Sequence, residues 1–354
     1  MNGPLWRMVA AMATGLAAIA ASLVVGAPAH ATIVTDPNNA SVQYADKTWN
    51  WDWFDSSSHG FVGAGDWQPN FQCAEYVARA LAFEGLIPGL SANSPQSAFA
   101  TYTASNGRVY HLWNVGSSGV PGLYNFLRDT GLGTWIGNTP TAARPGDVIF
   151  YYNTTDPNQR NDSTRVHTTL VVRAGTESEA QYDGHNAAEL NGTYGSAGMR
   201  DIIHINRKAA SYLTATVSVL ENNTTNCPGT QQYFGATDLY GLPTNYTYSN
   251  GSHACVRVTF PPVTKSSTCD FWFYVPAGYG TAKVVFGYWV RNPSTGVTTK
   301  YYASVDEQPL EGWHKVFSAA NVTDINFQDN NGQPQGDYLI GWGNGPSHGM
   351  RQSC

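Results

Sequence analysis

Asn70-Phe71-Gln72-Cys73-Ala74-Glu75-Tyr76-Val77-Ala78-Arg79-Ala80-Leu81 is the stretch on which the reading of this 354-residue chain turns. Positions 73, 76, 77, 80 and 81 recur at helical spacing and form one face, and Gly85 stands where a left-handed residue closes a helix. With Asn70 as cap, Cys73 is the third helical residue. A helix N-terminus lowers a thiol pKa because its unpaired N–H groups stabilise negative charge, and the same groups can hold an oxyanion. Cys73 also continues the apolar face, so it fits equally as a small core residue. It is the only cysteine before residue 227, and Cys227, Cys255, Cys269 and Cys354 all follow. In an exported chain that partition predicts paired structural thiols in one part and a lone thiol in the other.

Export is read from residues 1–31. Arg7 supplies a positive start, 8–26 is almost wholly apolar, and Ala29-His30-Ala31 is a small-x-small cleavage site. A removed signal peptide is therefore expected, with Thr32 as the mature N-terminus and no membrane anchor left after cleavage. No later stretch is long and apolar enough to span a bilayer. The formal charge is −6, and only 12% of residues are charged against 13% aromatic. An acidic chain without Lys/Arg clusters excludes nucleic acid or an anionic membrane as the expected partner.

Helices come first and strands after them. Beyond the Cys73 helix, Ser94-Pro95 reads as cap and first residue of a short helix, and 121–128 as a third helix stopped near Gly131. Arg144-Pro145-Gly146-Asp147 is a turn into a strand at 148–152. Residues 166–172 and 201–205 read as further strands, so 32–209 is an α+β domain with an antiparallel sheet. From about 210 to 354 only short β-branched and aromatic runs recur, at 214–220, 255–260, 270–275, 282–290 and 298–305. Turn residues separate them, the pattern of an all-β sandwich. Trp49, Trp51 and Trp53 alternate as on one strand face, suited to core packing or to a sugar platform.

A cysteine hydrolase needs a base for its thiol and a group that holds the base. His167 stands near the start of a strand, sharing a face with Thr169 and Val171. Asp183-Gly184-His185-Asn186 follows one hairpin later. Tyr182, Gly184 and Asn186 share one strand face there, and Asp183 and His185 share the other. No His or Cys spacing fits zinc, and no metal or other cofactor is expected.

The ordered set of Phe71-Gln72-Cys73-Ala74-Glu75-Tyr76-Val77, Arg144-Pro145-Gly146-Asp147-Val148-Ile149-Phe150-Tyr151 and His167-Thr168-Thr169-Leu170-Val171-Val172 resembles the CHAP-type, papain-like bacterial amidases, over residues 60–190. The resemblance implies Cys73 as nucleophile and His167 as base. Asn186 is the preferred third member, with His185 and Asp183 as alternatives. Thr168-Thr169 depart from the family, which often carries a small apolar residue or glycine after the histidine. Tyr301-Tyr302-Ala303-Ser304-Val305-Asp306-Glu307-Gln308, read as a strand, and Gly312-Trp313-His314-Lys315-Val316-Phe317, read as the strand that returns, resemble golvesin C-terminal-like domains. Those accessory sandwiches are found beside hydrolases and are associated with polysaccharide.

Together these readings predict a secreted bacterial cysteine amidase or peptidase that cleaves amide bonds of peptidoglycan or another cell-wall polymer. The alternative is an inactive cell-wall or polysaccharide-binding protein on the same folds. Among the later cysteines, Cys255 with Cys269 is expected to bracket a hairpin around Pro261-Pro262. Cys227 with Cys354 is expected to tie the first and last strands of the sandwich.

Overall fold

The computed structural model describes residues 33–36, 39–49, 73–116, 119–184, 189–194, 199–219, 233–238, 242–250, 253–254, 256–280, 282–307, 310–329, 337–343 and 349–354. All α-helices among them precede residue 130: α1 (Ala40–Thr48), α2 (Cys73–Phe83), α3 (Gln96–Ala100) and α4 (Leu123–Asp129). None is long and apolar enough to cross a membrane.

The expected helix at Cys73 is α2, and Gly85 behind it takes φ +80°. Asn70, its expected cap, lies outside the described residues. Every residue of α2 is buried, charged ones included. Glu75 and Arg79 pair at 2.6 Å one turn apart, Gln96 Nε2 donates to Glu75, and Arg79 also donates to the carbonyls of Ala92 and Ser94. Those bonds tie α2 to the loop entering α3, where Pro95 is the cap rather than Ser94. The helix α1 was not foreseen. Asn39 caps it by accepting from the Val42 N–H at 3.1 Å. Trp49 ends α1 in a helical conformation, which corrects its expected place on a strand; Trp51 and Trp53 lie outside the described residues.

Two short strands, β2 (Tyr102–Thr103) and β3 (Val109–Tyr110), pair in a small hairpin. The main sheet of this part is seven-stranded and antiparallel. Its path runs β4 (Gly133–Gly137), β9 (Met199–Ile205), β5 (Val148–Tyr152), β6 (Arg165–Ala174), β7 (Gln181–Gly184) and β8 (Glu189–Thr193), with β1 (Val34–Thr35) pairing β6. The Pro-Gly-Asp turn is an anchor. Asp147 accepts from the N–H groups of Arg144 and Ile205 and lies 3.1 Å from His204 Nδ1. A Cβ on Gly146 (φ +85°) would fall 2.7 Å from the Asn39 amide, so only glycine closes this turn.

The remainder is all-β among the described residues. One sheet orders β10 (Ala210–Leu213), β22 (Met350–Ser353), β16 (Cys269–Val275) and β19 (Gly312–Ala319). A second orders β11 (Thr216–Val219), β15 (Val256–Phe260), β20 (Val322–Asp329), β17 (Lys283–Arg291) and β18 (Thr298–Asp306). Phe271, Phe273 and Phe317 of the first meet Phe260, Phe286 and Phe327 of the second in one core. A third sheet joins β12 (Phe234–Thr237), β13 (Pro243–Asn250), β14 (His253–Ala254) and β21 (Asp337–Gly343).

Three expectations are corrected here. Cys269 bonds to Cys354, not to Cys255, and Cys227 is not the partner of Cys354. The reason is register: β16 lies beside β22 with Asp270 opposite Ser353, and one step further brings positions 269 and 354 together. Cys227 and Cys255 lie outside the described residues. The segment around Pro261-Pro262 is no hairpin, because β15 and β16 belong to different sheets. Likewise β19 does not return along β18 but crosses to the other sheet.

Thr32–Cys354 clusters as one unit. Phe83 of α2 packs edge-on against Tyr274 of β16. Gly85 and Gly312 take positive φ where the end of α2 meets the start of β19, and a Cβ on either would strike backbone oxygen of the other segment within 2.6 Å. The two glycines allow that approach.

Candidate active site

The described part of α2 starts at Cys73, which is 5% exposed and outside any disulfide. The helix packs on β6 and β7. Its side chains Val77 and Leu81 share a core with Leu170 and Val172 of β6. Ile149 and Val171, with Tyr151 and Tyr182 against them, form a separate cluster on the opposite face of the sheet.

His167 belongs to that second face. It is opposite Tyr151 in the β5–β6 register, with ring centroids 5.4 Å apart. Burial lowers its pKa, and the nearby Glu189 carboxylate opposes that effect. Burial thus disfavours the protonated imidazole, and Glu189 favours it. The two unexpected threonines each have a role: Thr168 Oγ1 donates to the Ile149 carbonyl at 2.7 Å, and Thr169 Oγ1 lies 3.2 Å from the Tyr151 hydroxyl.

Glu189 is the acidic group that sequence reading missed. It stands on β8 opposite Gly184. A Cβ at Gly184 would lie 2.9 Å from Thr169 Cγ2 and 3.5 Å from Glu189 Oε2, so glycine leaves room for the carboxylate. Burial, and then a hydrogen bond to Glu189, push the Tyr182 phenol up to about 12. Its only signal in the sequence was an acidic residue within hairpin reach of His167. Arg200 completes the cluster, its guanidinium 5.5 Å from the Tyr151 ring.

The other third-member candidates fall elsewhere. Asp183 is opposite Leu170 and so faces the helices, not His167. It accepts from the Asn191 N–H at 2.8 Å, and burial together with the Asp46 carboxyl raises its pKa. Asn186 and His185 lie outside the described residues. The structure thus joins His167 to Tyr151, Tyr182 and Glu189, and sets the Cys73 helix against the other face of the same strand. Among the described residues no cluster of His, Cys, Asp and Glu could hold a metal ion.

No family model matches the chain, and no curated protein matches it. Among solved structures it is similar to the K2 cleaved adhesin domain of Lys-gingipain, at 11% identity and TM-score 0.25, over 40% of this chain and 90% of that one. The K1 adhesin domain from Porphyromonas gingivalis W83 matches at 9% identity and TM-score 0.23, over 42% and 99% of the two chains. The Clostridium thermocellum xylanase 10B CBM22-1–GH10 modules, complexed with xylohexaose, match at 11% identity and TM-score 0.21, over 41% and 26%. Similarity at this level carries no conclusion about what this chain does.

Proposed function

We propose that the chain is a secreted cysteine amidohydrolase, on a papain-like first domain, that cleaves amide bonds of peptidoglycan. The observation that supports it is the packing of the Cys73 helix on β6, the strand that carries His167. In this reading the His167 ring, which stands at the start of β6 on the face away from α2, turns to the helix side, takes the proton of the Cys73 thiol, and the thiolate attacks the amide carbonyl. The N–H groups at the start of α2 stabilise the oxyanion, and His167 returns the proton to the leaving amine. Water then releases the acyl group. Asn186 or Glu189 orients the imidazole.

The test is digestion of purified peptidoglycan by the mature protein, with mass assignment of the fragments. Release that disappears in Cys73→Ala and in His167→Ala, at unchanged folding, supports hydrolysis. Release that survives Cys73→Ala overturns the assignment.

A second reading is favoured by one specific observation, the imidazole on the face away from α2 beside a thiol only 5% exposed. It makes the chain a wall-polymer-binding protein whose catalytic scaffold is silent. Sedimentation with peptidoglycan but no fragment release, and a Cys73 slow to react with iodoacetamide in the native protein, decides for it.

A further inference from the structure

The segment that leaves α2 faces the four-stranded sheet of the sandwich across a cleft of about 900 Å³, the size of a small-ligand site. Register builds the floor of the cleft. Tyr212 on β10 is opposite Arg351 on β22, Arg351 is opposite Trp272 on β16, and Trp272 is opposite Lys315 on β19. Cross-strand partners share a face, so these four stand in one row. Phe271, Phe273 and Met350, their neighbours in sequence, point the other way into the sandwich core. Leu86, Ile87 and Leu90, from the segment after α2, give the cleft apolar surface, and β19 ends its sheet along one side of it.

Arg351 is 7% exposed and makes no ion pair among the described residues. Its guanidinium lies 5.1 Å from the Trp272 ring and 4.7 Å from the Trp313 ring, and it donates to the Glu84 carbonyl. The Glu84 carboxylate acts on it through space, but both oxygens of that group are held by Arg207. A buried cation without an anion of its own is costly, and an anion supplied from outside would relieve it. Lys208 and Lys315 reach only one carboxylate, Asp270, loosely at 3.6 and 3.7 Å. Eight charged side chains line the cleft, four of each sign, but they are not evenly placed. Arg207 cancels Glu84, and Asp36 bears on Arg207 and Tyr212. Asp306 stands opposite Lys283 in the β17–β18 register. His314 is neutral, because burial pushes its pKa down to about 4. The sheet face is left with Arg351, Lys208 and Lys315 against Asp270.

We propose that this cleft binds a short peptide by its free carboxylate, held between Arg351 and Lys315. A guanidinium and an ammonium converging on one carboxylate make charge-assisted hydrogen bonds, the strong kind. The outer backbone edge of β19 has no neighbouring strand among the described residues, so it can pair with peptide amides. Leu86, Ile87 and Leu90 can take side chains. A polyanion fits poorly, because its further charges would meet Asp36, Glu84 and Asp306. An acyl chain fits poorly as well: about half of the lining residues are polar or charged, and it would strip water from them without replacing its hydrogen bonds. The eleven residues of α2 put roughly 16 Å of helix between Cys73 and this cleft. The inference is therefore independent of the proposed hydrolysis.

The experiment is calorimetric titration of the full mature protein with trialanine, trialanine amide, octanoate and inorganic phosphate. Trialanine should bind, and its amide about tenfold more weakly, the effect of losing one charge-assisted hydrogen bond. Lys315→Gln should weaken trialanine by about tenfold and leave the thermal midpoint where it was, since half of that side chain is exposed. Arg351→Gln should weaken binding at least as much. Arg351 is buried, so this variant counts only if its thermal midpoint stays within a few degrees of the parent, and Lys315→Gln decides if it does not. Lys315→Gln should also bring trialanine and its amide closer together, which a general loosening of the cleft would not do. No binding of trialanine, equal binding of its amide, tighter binding of octanoate or phosphate, or full affinity in Lys315→Gln would each overturn the proposal.

Discussion

Glu84 and Glu307 are both buried glutamates, one at the end of α2 and one just past β18, and they titrate in opposite directions. Burial pushes the Glu84 carboxyl up, but the Arg207 guanidinium outweighs it and holds the group below its ordinary range. Arg207 reaches both carboxylate oxygens, at 2.7 and 2.9 Å, and Ser41 donates to one of them. Glu307 is fully buried, and the contact that opposes its burial is a single N–H, from Gly341 at 3.2 Å. Burial therefore dominates and drives its pKa well up. Loss of solvent is common to the two, and the partner decides the sign. The same contrast separates the halves: charged networks knit the helices to the first sheet, while stacked phenylalanines hold the sandwich.

Arg207→Ala should have the largest effect on stability. It leaves Glu84 buried without its cation and removes a 3.0 Å donor from the Gly146 carbonyl in the Pro-Gly-Asp turn. A loss of about 3–5 kcal/mol in urea denaturation is expected for breaking a buried pair from one side. Replacing both members, as Glu84→Gln with Arg207→Met, should lose much less. If the double variant is no better than the single, the pair is not what holds Glu84.

Breaking the sandwich covalently comes next. Cys269→Ser with Cys354→Ser opens a link between residues 85 apart in sequence. The expected cost is about 2–4 kcal/mol, the usual range for a disulfide. It should appear as a lower denaturation midpoint under oxidising conditions and vanish when both proteins are compared reduced.

Glu307→Gln should stabilise the protein at pH 7, on the order of 1 kcal/mol, because the amide keeps the Gly341 bond without a charge to desolvate. The pH dependence follows from sign. A carboxyl whose folded pKa is raised contributes stability that is complete below its unfolded value, here 4.5, and lost as pH rises through the folded value. The gain from Glu307→Gln should therefore shrink as pH falls toward 4.5. Glu84 does the reverse: its contribution is present above 4.5 and lost as pH falls through its depressed folded value. Equal gains for Glu307→Gln at pH 4 and pH 7 would remove the distinction between the two glutamates.

Local period was legible in this sequence and long-range pairing was not. The 73, 76, 77, 80, 81 spacing with Gly85 marked α2, and the runs at 270–275, 282–290 and 298–305 marked β16, β17 and β18 to within a residue or so. Those signals are local because one face of each element must be apolar. The helix α1 was hidden because its start depends on the Asn39 side chain and its end runs into an alternating tryptophan pattern that imitates a strand. Strand order carries no local mark, so the step of the chain from β15 to β16 and from β18 to β19 across the sandwich could not be read. The Cys269–Cys354 bond depends on the register of β16 with β22 and was lost with it. Of the site, Cys73 and His167 were visible as residue types in sequence, but the face of β6 on which His167 stands is a tertiary fact. Glu189 was invisible for the same reason: only the β7–β8 pairing brings it to the imidazole.

The finest test concerns that carboxylate. Glu189 raises the His167 pKa against the lowering effect of burial, so Glu189→Gln should let the imidazole fall further below its ordinary value of 6.5. The charge acts across a partly solvated sheet face, where screening keeps such effects small, and a shift of a few tenths of a pH unit is expected. NMR titration of the His167 ring measures it whether or not the protein is a hydrolase. If it is, the acid limb of kcat/KM must move the same way, since a base that loses its proton at lower pH stays competent at lower pH. A ring titration that moves without the activity limb would mean His167 is not the base that Cys73 uses. A ring titration that does not move would detach Glu189 from the site and leave Asn186 as the residue that orients it.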